Sequence, residues 1–176
     1  MNADWRTENP WAIDLAERRD ERIVAAPPSE RGSMTSLLIW TQTHLRSVAA
    51  AGVDAYGLVQ MAGRPHAERI LVCGEREGAS FVRRDGVRCH FVIVVRERDD
   101  ALDLISYVLH VDAPEGEGPC PRFLRWEYSP ERKDGVDAVK EPLAHFHPGH
   151  DHIRIPSPVL SPKELIAVFL CLERWG

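Results

Sequence analysis

Ser80-Phe-Val-Arg-Arg-Asp-Gly-Val-Arg-Cys-His-Phe-Val-Ile-Val-Val-Arg96 is the stretch that decides the fold class. Asp85-Gly86 sits between two runs rich in β-branched and aromatic residues. An Asp-Gly pair accepts the positive φ of a tight turn at little cost, so this arrangement predicts a β-hairpin with strands at 80–84 and 87–96. Downstream, 102–111 reads as a strand with Ile105, Tyr107, Leu109 and Val111 on one face. A Pro/Gly-rich loop at 112–121 separates it from another strand at 122–128, and 67–73 supplies one upstream. Five successive strands with connections too short for helical crossovers form a meander, which is antiparallel.

The flanks of this meander are helical. Leu38, Thr41, Leu45 and Val48 recur at helical spacing over 35–51, with Gly52 placed to end the helix. Near the C-terminus, Ser161-Pro162-Lys163-Glu164 is a capping box with proline in the first turn, opening a helix over 161–175 whose stripe is Leu165, Val168, Phe169 and Leu172. Between the meander and that helix, 143–147 and 153–155 are short strands around a Pro148-Gly149 turn. Residues 1–33 form an N-terminal arm, with a short helix at 11–24 and a linker at 25–33 in which Pro27-Pro28 stops the helix. Trp5 and Trp11 suit an arm that docks on a surface. The expectation is an α+β protein: an antiparallel β-meander sheet of five to seven strands flanked by two main helices. Residues 34–176 form the single domain and 1–33 its arm and linker.

The chain has 176 residues and a net charge of −5, which gives no global field to attract nucleic acid. No uncharged apolar run approaches the roughly 20 residues that span a bilayer. The opening MNADWRTENPWAIDLAERRD lacks a basic start followed by an apolar core, so no secretory leader and no membrane partner are expected, and the location is cytoplasmic. Cys73, Cys89, Cys120 and Cys171 are too scattered for a zinc ribbon or redox pair and read as free buried thiols.

Four of the eight histidines lie in His145-Phe-His147-Pro-Gly-His150-Asp-His152-Ile-Arg154. On a strand, His145 and His147 project to one face and Phe146 to the other. Two imidazoles in that arrangement can hold one metal. The turn would bring His150 back as a third ligand, leaving a position open on a divalent transition ion such as zinc. Asp151 could ligate or orient a ligand. A second reading uses no metal: one histidine among His145, His147 and His152 acts as base and another as acid, with Arg154 holding a phosphodiester. Arg122, Arg125, Trp126 and Tyr128 could then add phosphate contacts and base stacking. A third reading is structural: the histidines bond the backbone at a hairpin end, and Arg154 pairs with Glu127 or Glu164. His90 and His110 lie on strands that could be neighbours, which makes each a candidate to join the cluster. There is no Gly-rich phosphate loop, no G-x-S-x-G elbow and no H-E-x-x-H.

Two resemblances bear on these residues. His145-x-His147-Pro148-Gly149 resembles the first motif of cupins, but the acid that follows there is displaced by His150-Asp151, and the remaining residues leave no room for a second cupin motif. Leu124-Arg-Trp-Glu-Tyr128, His145-x-His147, Ile153-Arg-Ile-Pro156 and a helix opening at Ser161-Pro162 together resemble small bacterial families that include the TumE-type toxins of toxin–antitoxin pairs. That likeness covers about fifty residues. It departs at Trp126-Glu127-Tyr128, where an aspartate-bearing strand is expected. It implies a small cytoplasmic toxin or defence protein acting on RNA, with His145, His147, His152 and Arg154 as the matching positions. The expected activity is binding or cleavage of a phosphodiester, with RNA or a cognate protein as partner. The rival from another class is a non-catalytic interaction module that uses the N-terminal arm and the exposed sheet edges, with structural histidines.

Overall fold

The computed structural model describes residues 29–63, 68–74, 80–114, 122–130 and 144–172. In chain order these give β1 (Ser29–Arg31), α1 (Met34–Val48), α2 (Ala55–Leu58), β2 (Val59–Gly63), β3 (Glu68–Cys73), β4 (Phe81–Val82), β5 (Arg88–Arg98), β6 (Ala101–Asp112), β7 (Phe123–Tyr128), β8 (Ala144–Pro148), β9 (Ile155–Pro156) and α3 (Pro162–Cys171). All nine strands belong to one sheet, ordered β2-β3-β5-β6-β7-β8-β9, with β1 added to β6 and β4 to β5. Every pairing is antiparallel. The α+β meander is thus as the sequence predicts, with nine strands in place of five to seven. The arm's tryptophans, Trp5 and Trp11, and its expected helix fall outside the described residues.

The Asp85-Gly86 hairpin forms as expected. Arg83 N–H donates to the Val87 carbonyl (2.8 Å), and Gly86 takes a positive φ of 87°. The Asp85 carboxylate accepts from the Arg83 guanidinium (2.8 and 2.5 Å) and from Val87 N–H (3.3 Å). Arg83 also donates to the Phe169 carbonyl (2.8 Å), which ties the hairpin to α3.

Both long helices cover one face of the sheet. Met34, Leu37 and Leu45 of α1 and Leu165, Ile166 and Phe169 of α3 share a core with Cys89, Phe91, Ile93 and Val95 of β5 and Leu109 and Val111 of β6. The helix stripes are therefore rotated from those predicted: Leu38 and Val48 of α1, like Leu172 after α3, are only partly buried. Ser33 and Ser161 cap the two helices, each in a reciprocal capping box. α1 ends at Val48 and not at 51, because the chain is drawn at once onto the hairpin: Ala50 N–H donates to the Val82 carbonyl and Arg84 N–H to that of Val48 (both 2.9 Å). Gly52 instead takes its positive φ (81°) in the following turn.

Two strands had no sequence signal. β1 is Ser-Glu-Arg, read as linker, and it docks on β6 through pairs such as Glu30↔Leu102 while Glu30 meets Lys163. β2 is too short to establish a period, and it ends at Gly63 (φ 97°), where a Cβ would lie 2.6 Å from the Glu68 carbonyl oxygen. In β6 the predicted face is broken by a bulge. The register passes from Val94↔Ser106 to Val95↔Leu104, leaving Ile105 as the extra residue. Leu102 and Leu104 before it, and Tyr107, Leu109 and Val111 after it, are buried, whereas Ile105 is not.

Cys73 and Cys89 are free and buried, but Cys171 is exposed, against expectation; Cys120 lies outside the described residues. Burial pushes the Cys73 thiol up to about 12 and raises Cys89 as well, so neither is a ready nucleophile. No described helix is long and apolar enough to cross a membrane.

Candidate metal centre

Directly opposed residues in an antiparallel pair project to the same face, so register alone places the side chains here. Leu109↔Trp126↔Phe146 and Tyr107↔Tyr128↔Ala144 lie on the helix-covered face. The opposite face carries Val108↔Glu127↔His145 and, one pair along, His90↔His110↔Arg125↔His147. Four consecutive strands thus lay an unbroken row of basic and imidazole side chains across the sheet. The His90 and His110 rings stack at 4.7 Å, and His110 stacks on Phe123 at 5.0 Å. His90 and His110 are therefore neighbours, as suspected, and lead toward the cluster. Asp112, expected in the 112–121 loop, ends β6 and pairs with His110 (3.1 Å).

At the β7–β8 end of these rows, Glu127, His145 and His147 converge. Their ligating atoms all lie within 4.8 Å of one another. Glu127 Oε2 is 3.3 Å from His145 Nε2 and 4.0 Å from His147 Nε2. His145 and His147 are buried although they face away from the helices. Among the described residues, the turn after Pro148 reaches back over this face: Asp151 Oδ1 forms an ion pair with Arg125 Nη1 at 2.8 Å. Arg125 Nε also lies 2.6 Å from Glu127 Oε1, and its Nη2 is 3.3 Å from His147 Nε2.

These contacts set the charge states. The Glu127 carboxyl is held down to about 2, chiefly by the hydrogen bond from His145. Burial opposes this, and the charges of Arg125, His145 and His147 assist it. His147 is pushed below its ordinary value, first by burial and then by the Arg125 guanidinium and His145. At neutral pH the site therefore offers a carboxylate and a neutral His147 imidazole, both in the state a metal ligand requires.

Of the residues expected to form the site, His145 and His147 come together. His150 does not join them; it is exposed, its ring lies tilted beside that of His152 (5.3 Å), and its Nδ1 accepts from His152 N–H (3.3 Å). The third donor is Glu127, because a neighbouring strand in register reaches the H-x-H pair more directly than a turn two residues beyond it. His152 and Arg154 are exposed as well, Arg154 at the head of β9. Arg122 is exposed, Trp126 and Tyr128 face the helices, and only Arg125 of that group reaches the cluster. The sequence offers Glu127 as a partner for Arg154 and not as a ligand. Its signal in the sequence is its place opposite His145 once the two strands are paired. Two imidazoles and one carboxylate on two adjacent strands can hold a divalent cation with positions left open. The chain matches no family model, no curated protein and no solved structure.

Proposed function

We propose that Glu127, His145 and His147 bind a divalent first-row transition ion, zinc being the specific candidate, and that the loaded centre acts on a phosphodiester, with RNA the substrate first to test. The observation that carries the reading is the mutual approach of three donor atoms. Donors on a tetrahedral ion at about 2.1 Å stand about 3.4 Å apart. The Glu127 Oε2 distances to the two histidines, 3.3 and 4.0 Å, are close to that spacing with side chains already in place. Such an ion polarises a bound oxygen and lowers the pKa of a bound water. The protein's part is to hold the carboxylate deprotonated and His147 neutral, and to keep the donors largely buried. A phosphodiester is favoured over a neutral substrate because Arg125 stands beside the triad, and a guanidinium matches phosphate oxygens in shape and charge. Hydrolysis there consumes one water: a P–O bond forms to it, the ester P–O bond breaks, and the departing oxygen takes a proton.

The test is cleavage of an end-labelled RNA by tag-free full-length protein, metal-stripped and then reconstituted with zinc, manganese or cobalt. Cleavage that appears with one of these ions and is lost in His147→Ala supports the reading. Equal cleavage by wild type and His147→Ala would exclude this site as its source. No cleavage of RNA or of a generic phosphodiester by protein shown to hold the ion would refute the phosphodiester assignment.

A further inference from the structure

A cation already occupies this centre: the guanidinium of Arg125. The carboxylates of Glu127 (Oε1 2.6 Å from Nε) and Asp151 (Oδ1 2.8 Å from Nη1) flank it as ion pairs and balance its charge. Its third contact, Nη2 to His147 Nε2 at 3.3 Å, is of a different kind. A neutral imidazole has one acceptor lone pair, and here that lone pair faces a guanidinium N–H. It is also the lone pair a metal would take.

We propose that Arg125 plugs the centre while it is empty and, once an ion is bound, turns its freed edge to grip an oxyanion of the substrate beside that ion. This rests on the metal reading above. An ion bonded to His147 Nε2 at about 2.1 Å claims the lone pair, so Nη2 must leave it. Glu127 offers Oε2 to the ion and keeps Oε1 for Arg125, so the guanidinium stays at the rim. Asp151, on the exposed turn, can follow it. The released edge then points an N–H donor at the space next to the ion's open positions. A guanidinium beside a metal is a strong binding pair for phosphate-class anions. The same residue thereby couples loading to substrate binding: a substrate anion has its gripping group only after the ion arrives.

The experiment uses metal-stripped, full-length protein titrated with Co²⁺, whose visible absorption reports the ligand set, in wild type, Arg125→Gln and Arg125→Lys. Circular dichroism establishes that each variant is folded. Arg125→Lys keeps the charge but replaces the fork with a single point, which separates the plug from a general field effect. Both variants should bind Co²⁺ about tenfold more tightly than wild type, because the cost of displacing the plug is gone. Inorganic phosphate should shift the Co²⁺ bands of the loaded wild type and leave those of Arg125→Gln unchanged. Equal or weaker Co²⁺ binding by both variants would overturn the plug and make Arg125 a support for Glu127. Tighter binding by Arg125→Gln alone would reduce the effect to charge. An equal phosphate response in wild type and Arg125→Gln, or none in wild type, would overturn the anion-gripping role. Absence of Co²⁺ binding in all three proteins would refute the metal centre itself, which is a different failure.

Discussion

Glu127 and His145 stand directly opposite each other on β7 and β8, with Oε2 and Nε2 3.3 Å apart. That pairing joins a carboxylate, which the sequence offers only as a partner for Arg154, to a histidine motif nearly twenty residues away. It also places charge in a buried setting, where removing one partner costs more than the contact itself is worth.

Glu127→Gln should therefore lower the stability of the metal-free protein. The amide cannot carry the charge that Arg125 and His145 face, and the expected loss is about 2 kcal/mol. Urea unfolding in the presence of EDTA measures it. A midpoint unchanged from wild type would mean that the carboxylate is strained or poorly paired in the empty site.

The Asp85 carboxyl lies below its ordinary value because the Arg83 side chain hydrogen-bonds it, against the opposing effect of burial. A carboxyl whose value is depressed in the folded state stabilises the fold above its unfolded value near 3.8, and that contribution is lost as pH falls through the folded value. Asp85→Asn should thus cost about 1 to 2 kcal/mol at neutral pH, with a difference from wild type that shrinks below about pH 3.8. Thermal unfolding from pH 7 to pH 2.5 checks it. A difference that stays constant over this range would contradict the pairing.

Thr41 lies on the buried stripe of α1, and among the described residues its Oγ1 has no hydrogen-bond partner. Thr41→Val removes a buried hydroxyl and keeps the branched shape, so it should stabilise the fold by about 1 kcal/mol. Chemical denaturation of the two proteins side by side measures the change, and a loss of stability would show that the hydroxyl is satisfied.

What the sequence made legible follows from where the physics is local. The Asp85-Gly86 turn, the Ser161 cap and the alternation of β5 are short-range signals, and each element formed where it was expected. β1 carries no apolar residue and β2 no period, so only their partners on β6 and β3 define them as strands. The Ile105 bulge is hidden because the apolar alternation of Ile105, Tyr107, Leu109 and Val111 runs straight through it, and one inserted residue exchanges the two faces. At the site, the H-x-H pair was visible because it is a property of one strand. That Glu127 and Arg125 touch this pair was not, since both contacts depend on the β7–β8 register across a connection that no local pattern specifies. His150 seemed closer along the chain, but proximity in sequence beyond a turn is a weaker constraint than register.

The central claim is that the triad holds a metal, and the most direct measurement is metal content by mass spectrometry on protein purified without a histidine tag, comparing wild type with the His145→Ala/His147→Ala double variant. The account predicts near-stoichiometric divalent metal in wild type, after reconstitution if purification strips it, and its loss in the double variant. Wild-type protein that stays metal-free after exposure to zinc, manganese and cobalt would contradict it and leave Glu127, His145 and His147 as a buried ion-pair cluster serving the fold.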